Sequence, residues 1–170
     1  WDSGSDNDYA QSDIDRWLNN TYKNLFDSDI KNAIKTTKFD YINGGNGGLT
    51  TLSRSIFLLS GNELGYKNDK LSRGEGTELP NASSYRFIST NYWTRSPYIG
   101  RDDGGFYVYE DYDSITWVDV NSEQGARPAF TLPSTIYVQS DGSVTTNAPP
   151  NPPSTITIPE VIRGGEDTSI

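Results

Sequence analysis

Trp93-Thr94-Arg95-Ser96-Pro97 and Gly125-Ala126-Arg127-Pro128-Ala129-Phe130 are the two stretches on which the reading of this chain turns. Each sets one arginine among apolar residues beside a proline. The segment between them differs in kind: from Tyr98 to Glu123 it carries Asp102, Asp103, Glu110, Asp111, Asp113, Asp119 and Glu123 against Arg101 alone, interleaved with Tyr98, Tyr107, Tyr109, Tyr112 and Trp117. Two compact motifs around an acidic, aromatic middle suggest a frame and the surface it displays.

Outward from the motifs, Phe106–Tyr109 and Ile115–Val120 alternate as strands do and predict a pair joined around Glu110–Ser114. Ile56-Phe57-Leu58-Leu59-Ser60 reads as a short strand buried on both faces, and Ala129–Leu132 as a further central strand. Ile136–Gln139 and Ser143–Thr146 predict a hairpin, because Asp141-Gly142 supplies the positive φ its turn requires. Toward the N-terminus, Ser12 precedes Ile14, Trp17, Leu18, Tyr22 and Leu25, a spacing that predicts a helix over 12–25 with Ser12 and Asp15 forming a capping box. A second helix is expected after Asp27 or Ser28, with Ile30, Ala33 and Ile34 inward and Lys35 and Lys38 near its end. Residues 43–48, Asn-Gly-Gly-Asn-Gly-Gly, read as a flexible loop. The run Ala148-Pro149-Pro150-Asn151-Pro152-Pro153 is an extended linker by composition. The expected organisation is therefore one main domain over 1–147, a Pro-rich linker over 148–154, and the first strand or strands of a truncated β module, immunoglobulin-like, over 155–170.

Composition narrows the function. The chain has 170 residues, 14 Lys plus Arg, 23 Asp plus Glu and a net charge of −9, a field that repels rather than steers nucleic acid. The absence of Cys and His removes disulfides, thiol nucleophiles, thiolate metal sites and the commonest general base. No run approaches about 18 apolar residues and no basic-then-apolar leader is present, so neither membrane insertion nor a signal peptide can be read. The lack of Met and the opening on Trp1 lead us to expect a segment of a longer polypeptide.

The order of two helices, Phe57-Leu58-Leu59-Ser60, the Trp93–Pro97 motif and the Gly125–Phe130 motif, together with Asn7-Asp8-Tyr9-Ala10 and Trp17-Leu18-Asn19, resembles a domain family of unknown function from bacterial surface proteins and tailed phages. That resemblance covers roughly residues 1–145. It implies an α+β, C-type-lectin-like fold, the scaffold also used by formylglycine-generating enzymes, with two helices on a small twisted antiparallel sheet and loops that carry recognition. The strands that usually precede the Asn-x-Tyr segment are absent before Trp1. The copper-binding cysteines of the formylglycine-generating enzymes are missing, so that activity is not implied. Glu78-Leu79-Pro80-Asn81 does not match the calcium-dependent sugar motif of animal lectins.

Arg95 and Arg127 have the planar fork that grips carboxylate or phosphate, but within apolar, Pro-bounded motifs the structural reading outweighs it: a buried arginine bonded to backbone carbonyls would pin loops to the sheet. Trp93 and Trp17 are read as core aromatics on the same grounds. Ligand binding is assigned instead to Tyr98, Arg101, Asp102, Asp103, Tyr107, Tyr109, Asp111, Tyr112, Asp113 and Trp117, because Tyr gives rigid amphipathic contact area and Asp, Ser and Gly adaptable polar contacts. The competing reading is the solvated face of a hairpin with alternate Tyr packed inward. Asp102-Asp103-Gly104-Gly105 and the Asp2, Asp6, Asp8 group make Ca2+ a candidate ligand, although neither follows the EF-hand pattern; no other cofactor is expected. The sequence thus points to a non-enzymatic recognition or adhesion domain on a virion fibre or bacterial surface protein, extracellular or on the virion, whose partner is a cell-surface glycan or protein. The alternatives are a decoration module that binds neighbouring subunits of an assembly and, with less support, a polysaccharide hydrolase using paired carboxylates.

Overall fold

A computed structural model describes residues 1–2, 6–71, 74–138 and 144–145. The architecture is mixed α+β, with few and short helices and several small sheets whose strands are mainly antiparallel. Two compact units divide the chain, Trp1–Ser134 and Thr135–Ile170.

In the first unit, helix α1 (Asp13–Asn20) starts where expected, with Ser12 as N-cap accepting from the Asp15 N–H at 3.2 Å. The capping box is only half formed, because the Asp15 carboxylate turns to Arg54, which holds it through Nε at 2.8 Å. The predicted helix over 12–25 breaks at Thr21 and resumes as a 3₁₀ turn over Tyr22–Leu25. The break carries Leu25 off the buried side, leaving it 72% exposed, while within α1 the buried side runs through Asp15 and Leu18 and leaves Trp17 43% exposed. Trp17 is therefore a surface aromatic tilted against Tyr22, a correction to its assignment as a core residue.

Helix α2 (Ser28–Ala33) stops short of Lys35 and Lys38. The β-branched residues Thr36 and Thr37 follow, and strand β1 (Thr37–Ile42) takes over with Phe39, Tyr41 and Ile42 buried. It pairs in continuous antiparallel register with β2 (Leu49–Arg54). Residues 43–48, read from sequence as a flexible loop, are the turn of this hairpin.

Strand β3 (Ile56–Leu58) is buried throughout, as its apolar run requires, and pairs with β8 (Pro128–Phe130). β8 is half-buried and, among the described residues, has β3 as its one strand partner, with a single further bridge from Thr131 to Lys35; the central strand expected over 129–132 is thus a short flank. A one-turn helix α3 (Ala82–Tyr85) precedes β4 (Tyr92–Pro97), all six residues of which are buried. β4 lies between β5 (Gly104–Tyr109) and the two-residue β7 (Gly125–Ala126), and β6 (Ser114–Asp119) completes the order β6-β5-β4-β7. The β5–β6 pair and its connection agree with the alternation read from sequence. Two apolar clusters sandwich this sheet: one holds Trp1, Tyr9, Leu18, Phe39, Ile56, Leu58 and Trp93, the other Leu64, Tyr66, Leu71, Tyr92, Phe106 and Val108.

In the second unit, β9 (Tyr137–Val138) and β10 (Val144–Thr145) pair antiparallel, in keeping with the predicted hairpin; its Asp141-Gly142 turn lies outside the described residues. The linker over 148–154 and the β module over 155–170 also lie outside them. No helix among the described residues is long and apolar enough to cross a membrane.

Candidate functional site

The frame is built on Arg95. Its guanidinium is completely buried and donates to both Glu63 oxygens, at 2.6 and 2.9 Å, and to the carbonyls of Leu58, Asp40 and Glu75 at 2.9, 2.9 and 3.3 Å. One side chain thereby ties together β1, β3, β4 and the 59–79 loop. Glu75, also fully buried, accepts the Ile42 N–H through Oε1 at 2.9 Å, while its Oε2 has no hydrogen-bond partner among the described residues. Burial pushes its carboxyl pKa up, against the opposing pull of Arg95. Glu63 and Glu75 are the partners that sequence reading missed. Arg127 is only half-buried, reaching Arg86 O at 3.3 Å and lying over the Tyr92 ring at 5.4 Å, so it clamps far less than Arg95 does. Trp93 is 1% exposed and packs edge-on against Trp1 and Tyr107, as expected of a core residue.

The display residues do not share one face. β5 and β6 pair Phe106 with Trp117 and Tyr107 with Thr116, and Trp93 of β4 stands opposite Tyr107. Since directly paired residues project to the same side and neighbours to opposite sides, Trp117 lies on one face and Tyr107 and Tyr109 on the other.

On the first face, Tyr98 stacks on Phe106 and lies 4.8 Å from Trp117, whose other neighbour is the Arg101 guanidinium at 4.7 Å. Asp103 grips Arg101 with two bonds of 2.7 and 2.8 Å, and the Arg101 bond holds its carboxyl below the usual range. Asp102 is exposed, and its carbonyl accepts the Asn7 N–H at 2.8 Å. Asn7, 1% exposed, also donates through Nδ2 to Arg101 O and Gly104 O at 3.0 and 2.8 Å and accepts from Gly45 N–H at 2.8 Å. It joins the display loop to the β1–β2 turn. Gly45 must be glycine here, because a Cβ would stand 2.0 Å from Arg101 O and 2.1 Å from Tyr98 O.

On the second face the rings form a row. Tyr9, Trp1, Trp93, Tyr107, Tyr109 and Tyr112 follow one another with centroids 6.2, 5.6, 6.0, 6.3 and 5.8 Å apart, running from fully buried Tyr9 to Tyr112, which is 77% exposed. Tyr107 and Tyr109 are half-buried, and Asp111 beside them is exposed. The Asp111 hydrogen bond raises the Tyr109 phenol pKa.

Asp113 belongs to neither patch. It adopts φ +43 at the hairpin turn, where Arg86 Nε and Nη2 donate to it at 2.9 and 3.0 Å and Tyr66 Oη donates at 2.7 Å. The Arg86 bonds lower its pKa. Asp113 therefore locks the turn to the body of the domain, a role Arg86 and Tyr66 did not reveal from sequence alone.

Among the described residues no three acidic, His or Cys side chains converge to hold a metal. Of the carboxylates considered for calcium, Asp103 is engaged by Arg101, Asp6 accepts the Asp8 N–H at 2.9 Å and Asp8 accepts the Ala10 N–H at 3.0 Å. A separate open groove of about 420 Å³ runs between α1 and the end of β2, with the Asp15–Arg54 pair, Asn19, Asn20 and Ser53 among its lining.

A family model described as a domain of unknown function, DUF6273, matches residues 1–134. The chain belongs to the DUF6273 family. No curated protein and no solved structure matches it. The family match and the first compact unit end together at residue 134, so the Arg95 frame, both display faces and the groove all fall inside the DUF6273 domain.

Proposed function

We propose that this DUF6273 domain is a non-enzymatic recognition module, C-type-lectin-like in fold, that binds a cell-surface glycan or protein through the residues displayed between Tyr98 and Trp117. The observation that carries this reading is the row of rings ending in Tyr109 and Tyr112: aromatic area held out to solvent, flanked by carboxylates and backed by a rigid core. Such a surface binds at small entropic cost, since its rings are already ordered. The reading extends to an extracellular setting, on a tail fibre or bacterial surface protein, with an immunoglobulin-like module following the Pro-rich linker.

The test is binding of the 1–170 chain to bacterial cells and a glycan array, with and without chelator, comparing the natural protein with Tyr109→Ala and Tyr112→Ala. Loss of binding in either variant with unchanged folding supports the assignment. Undiminished binding by both would move the site away from this face.

A further inference from the structure

The outer backbone edge of β6 is separate from the Tyr109–Tyr112 row that carries the reading above. β6 ends the sheet order β6-β5-β4-β7, and its six residues pair with β5 in one unbroken register. Val120 fixes the phase of that pairing, because its N–H donates to Asp103 O at 2.8 Å. Antiparallel alternation then turns the backbone groups of Val118, Thr116 and Ser114 toward β5, and those of Ile115, Trp117 and Asp119 outward. Among the described residues, none forms a hydrogen bond with the outward N–H and C=O of Ile115 and Trp117 or with the N–H of Asp119, while Asp119 O accepts the Ser122 N–H at 2.9 Å. The edge closes from Asp119 O onward, and Asp2 N–H donates to the next carbonyl, Val120 O, at 3.0 Å.

Natural sheets protect such edges with proline, lysine, a bulge or a covering loop. Ser114-Ile115-Thr116-Trp117-Val118 has no proline, no charge and no bulge, and four of its five residues are β-branched or aromatic. Two outward donor–acceptor pairs and the further outward N–H of Asp119, at strand spacing, are complementary to the backbone of another extended chain and to little else. The surroundings set the sign of that chain: Glu110 and Asp111 stand at one end, with no cation paired to them among the described residues. Asp119 stands at the other, 3.7 Å from Arg101, a cation that Asp103 already grips with two bonds, and Arg86 is engaged by Asp113.

We propose that the β6 edge accepts an extended, lysine- or arginine-bearing segment of a partner protein as a fifth strand of this sheet. This rests on the recognition reading and adds the chemistry of the partner: main chain supplies the pairing, and basic side chains answer the acidic rim. Alternate side chains of the incoming strand meet Trp117, with Arg101 stacked on it, on one face and Thr116 on the other.

Selection of random twelve-residue peptides on the immobilised 1–170 chain tests this. The expected peptides alternate β-branched residues with Lys or Arg, and they slow hydrogen exchange at the Ile115, Trp117 and Asp119 amides. They lose most of their affinity for Asp119→Pro, which deletes an outward N–H without touching a β5 bond, and bind Tyr109→Ala and Tyr112→Ala undiminished. Trp117→Lys, which keeps every backbone group and places a cation at the edge, serves as the second blocking variant if Asp119→Pro is misfolded by circular dichroism. Peptides that bind the blocking variant as well as the natural chain overturn the proposal. So does a selection that enriches none, while the cell-binding test of the tyrosine face keeps its own outcome.

Discussion

Replacing Arg95 with leucine removes the centre of the frame. The substitution strips Glu63 of both charge-assisted bonds and leaves the carbonyls of Leu58 and Asp40 without that donor, around a side chain that is itself fully buried; Glu75 O keeps its bond from Ser60 Oγ. Breaking a buried ion pair from one side costs about 3–5 kcal/mol, and each orphaned buried acceptor adds about 1–3 kcal/mol where no water replaces the lost donor. A domain of this size has about 5–15 kcal/mol in all. Arg95→Leu is therefore expected to unfold the domain or to leave it marginal. Urea denaturation followed by tryptophan fluorescence measures the loss, Trp93 being buried against the same sheet. Glu63→Leu and the double variant complete a cycle, in which the double variant is expected to cost less than the two single losses added together, because removing both charges avoids stranding either one. A loss under about 1 kcal/mol for Arg95→Leu, the scale of a surface change, would refute the assignment of Arg95 as a structural clamp and return it to the ligand-binding candidates.

Glu75→Gln tests the other buried acid. Because burial raises the folded-state pKa of Glu75 above its ordinary 4.5, its stability contribution is full below that value and declines as pH rises toward the folded pKa, by about 1.4 kcal/mol per pH unit; glutamine should flatten this decline, as pH-dependent denaturation will show. Asn7→Ala deletes three bonds, two of them buried, and is expected to cost about 3 kcal/mol, with faster amide exchange at Gly45 and in the 101–104 loop as its local signature. Tyr112→Ala, at a side chain 77% exposed, should change stability by under about 0.5 kcal/mol while impairing cell or glycan binding.

The parts legible in the sequence were those fixed by local pattern. Period-two alternation with a polar break gave β5 and β6, an N-cap serine gave the start of α1, and an arginine inside an apolar, Pro-bounded motif pointed to burial of Arg95. Features set by distant partners were hidden: Glu63 and Glu75 lie 32 and 20 residues from Arg95, and nothing near them marks them as its acceptors. The β1–β2 hairpin was missed because a six-residue Asn/Gly connection reads as freedom when Asn7 and the turn itself hold it in place. Trp17 was misassigned because the buried side of α1 runs through Asp15 and Leu18, and Trp17, one residue before Leu18, turns away from it. The division of the aromatic residues between two faces was half visible, in the opposite parity of Phe106 and Tyr107; the pairing of Phe106 with Trp117 also needed the length of the turn.

Apart from the carboxylate lock at Asp113, the display loops are fastened by their main chain. Asn7 holds Arg101 and Gly104 by their carbonyls and Asp102 by its own; Gly45 O receives the Gly100 N–H at 2.9 Å, and Asn91 Oδ1 receives the Glu110 N–H at 2.9 Å. Every one of those bonds is indifferent to which side chain the fastened residue carries. Exposed positions such as Asp102, Asp111 and Tyr112 can therefore be exchanged wholesale without loosening the scaffold, so this surface can change its specificity faster than its fold.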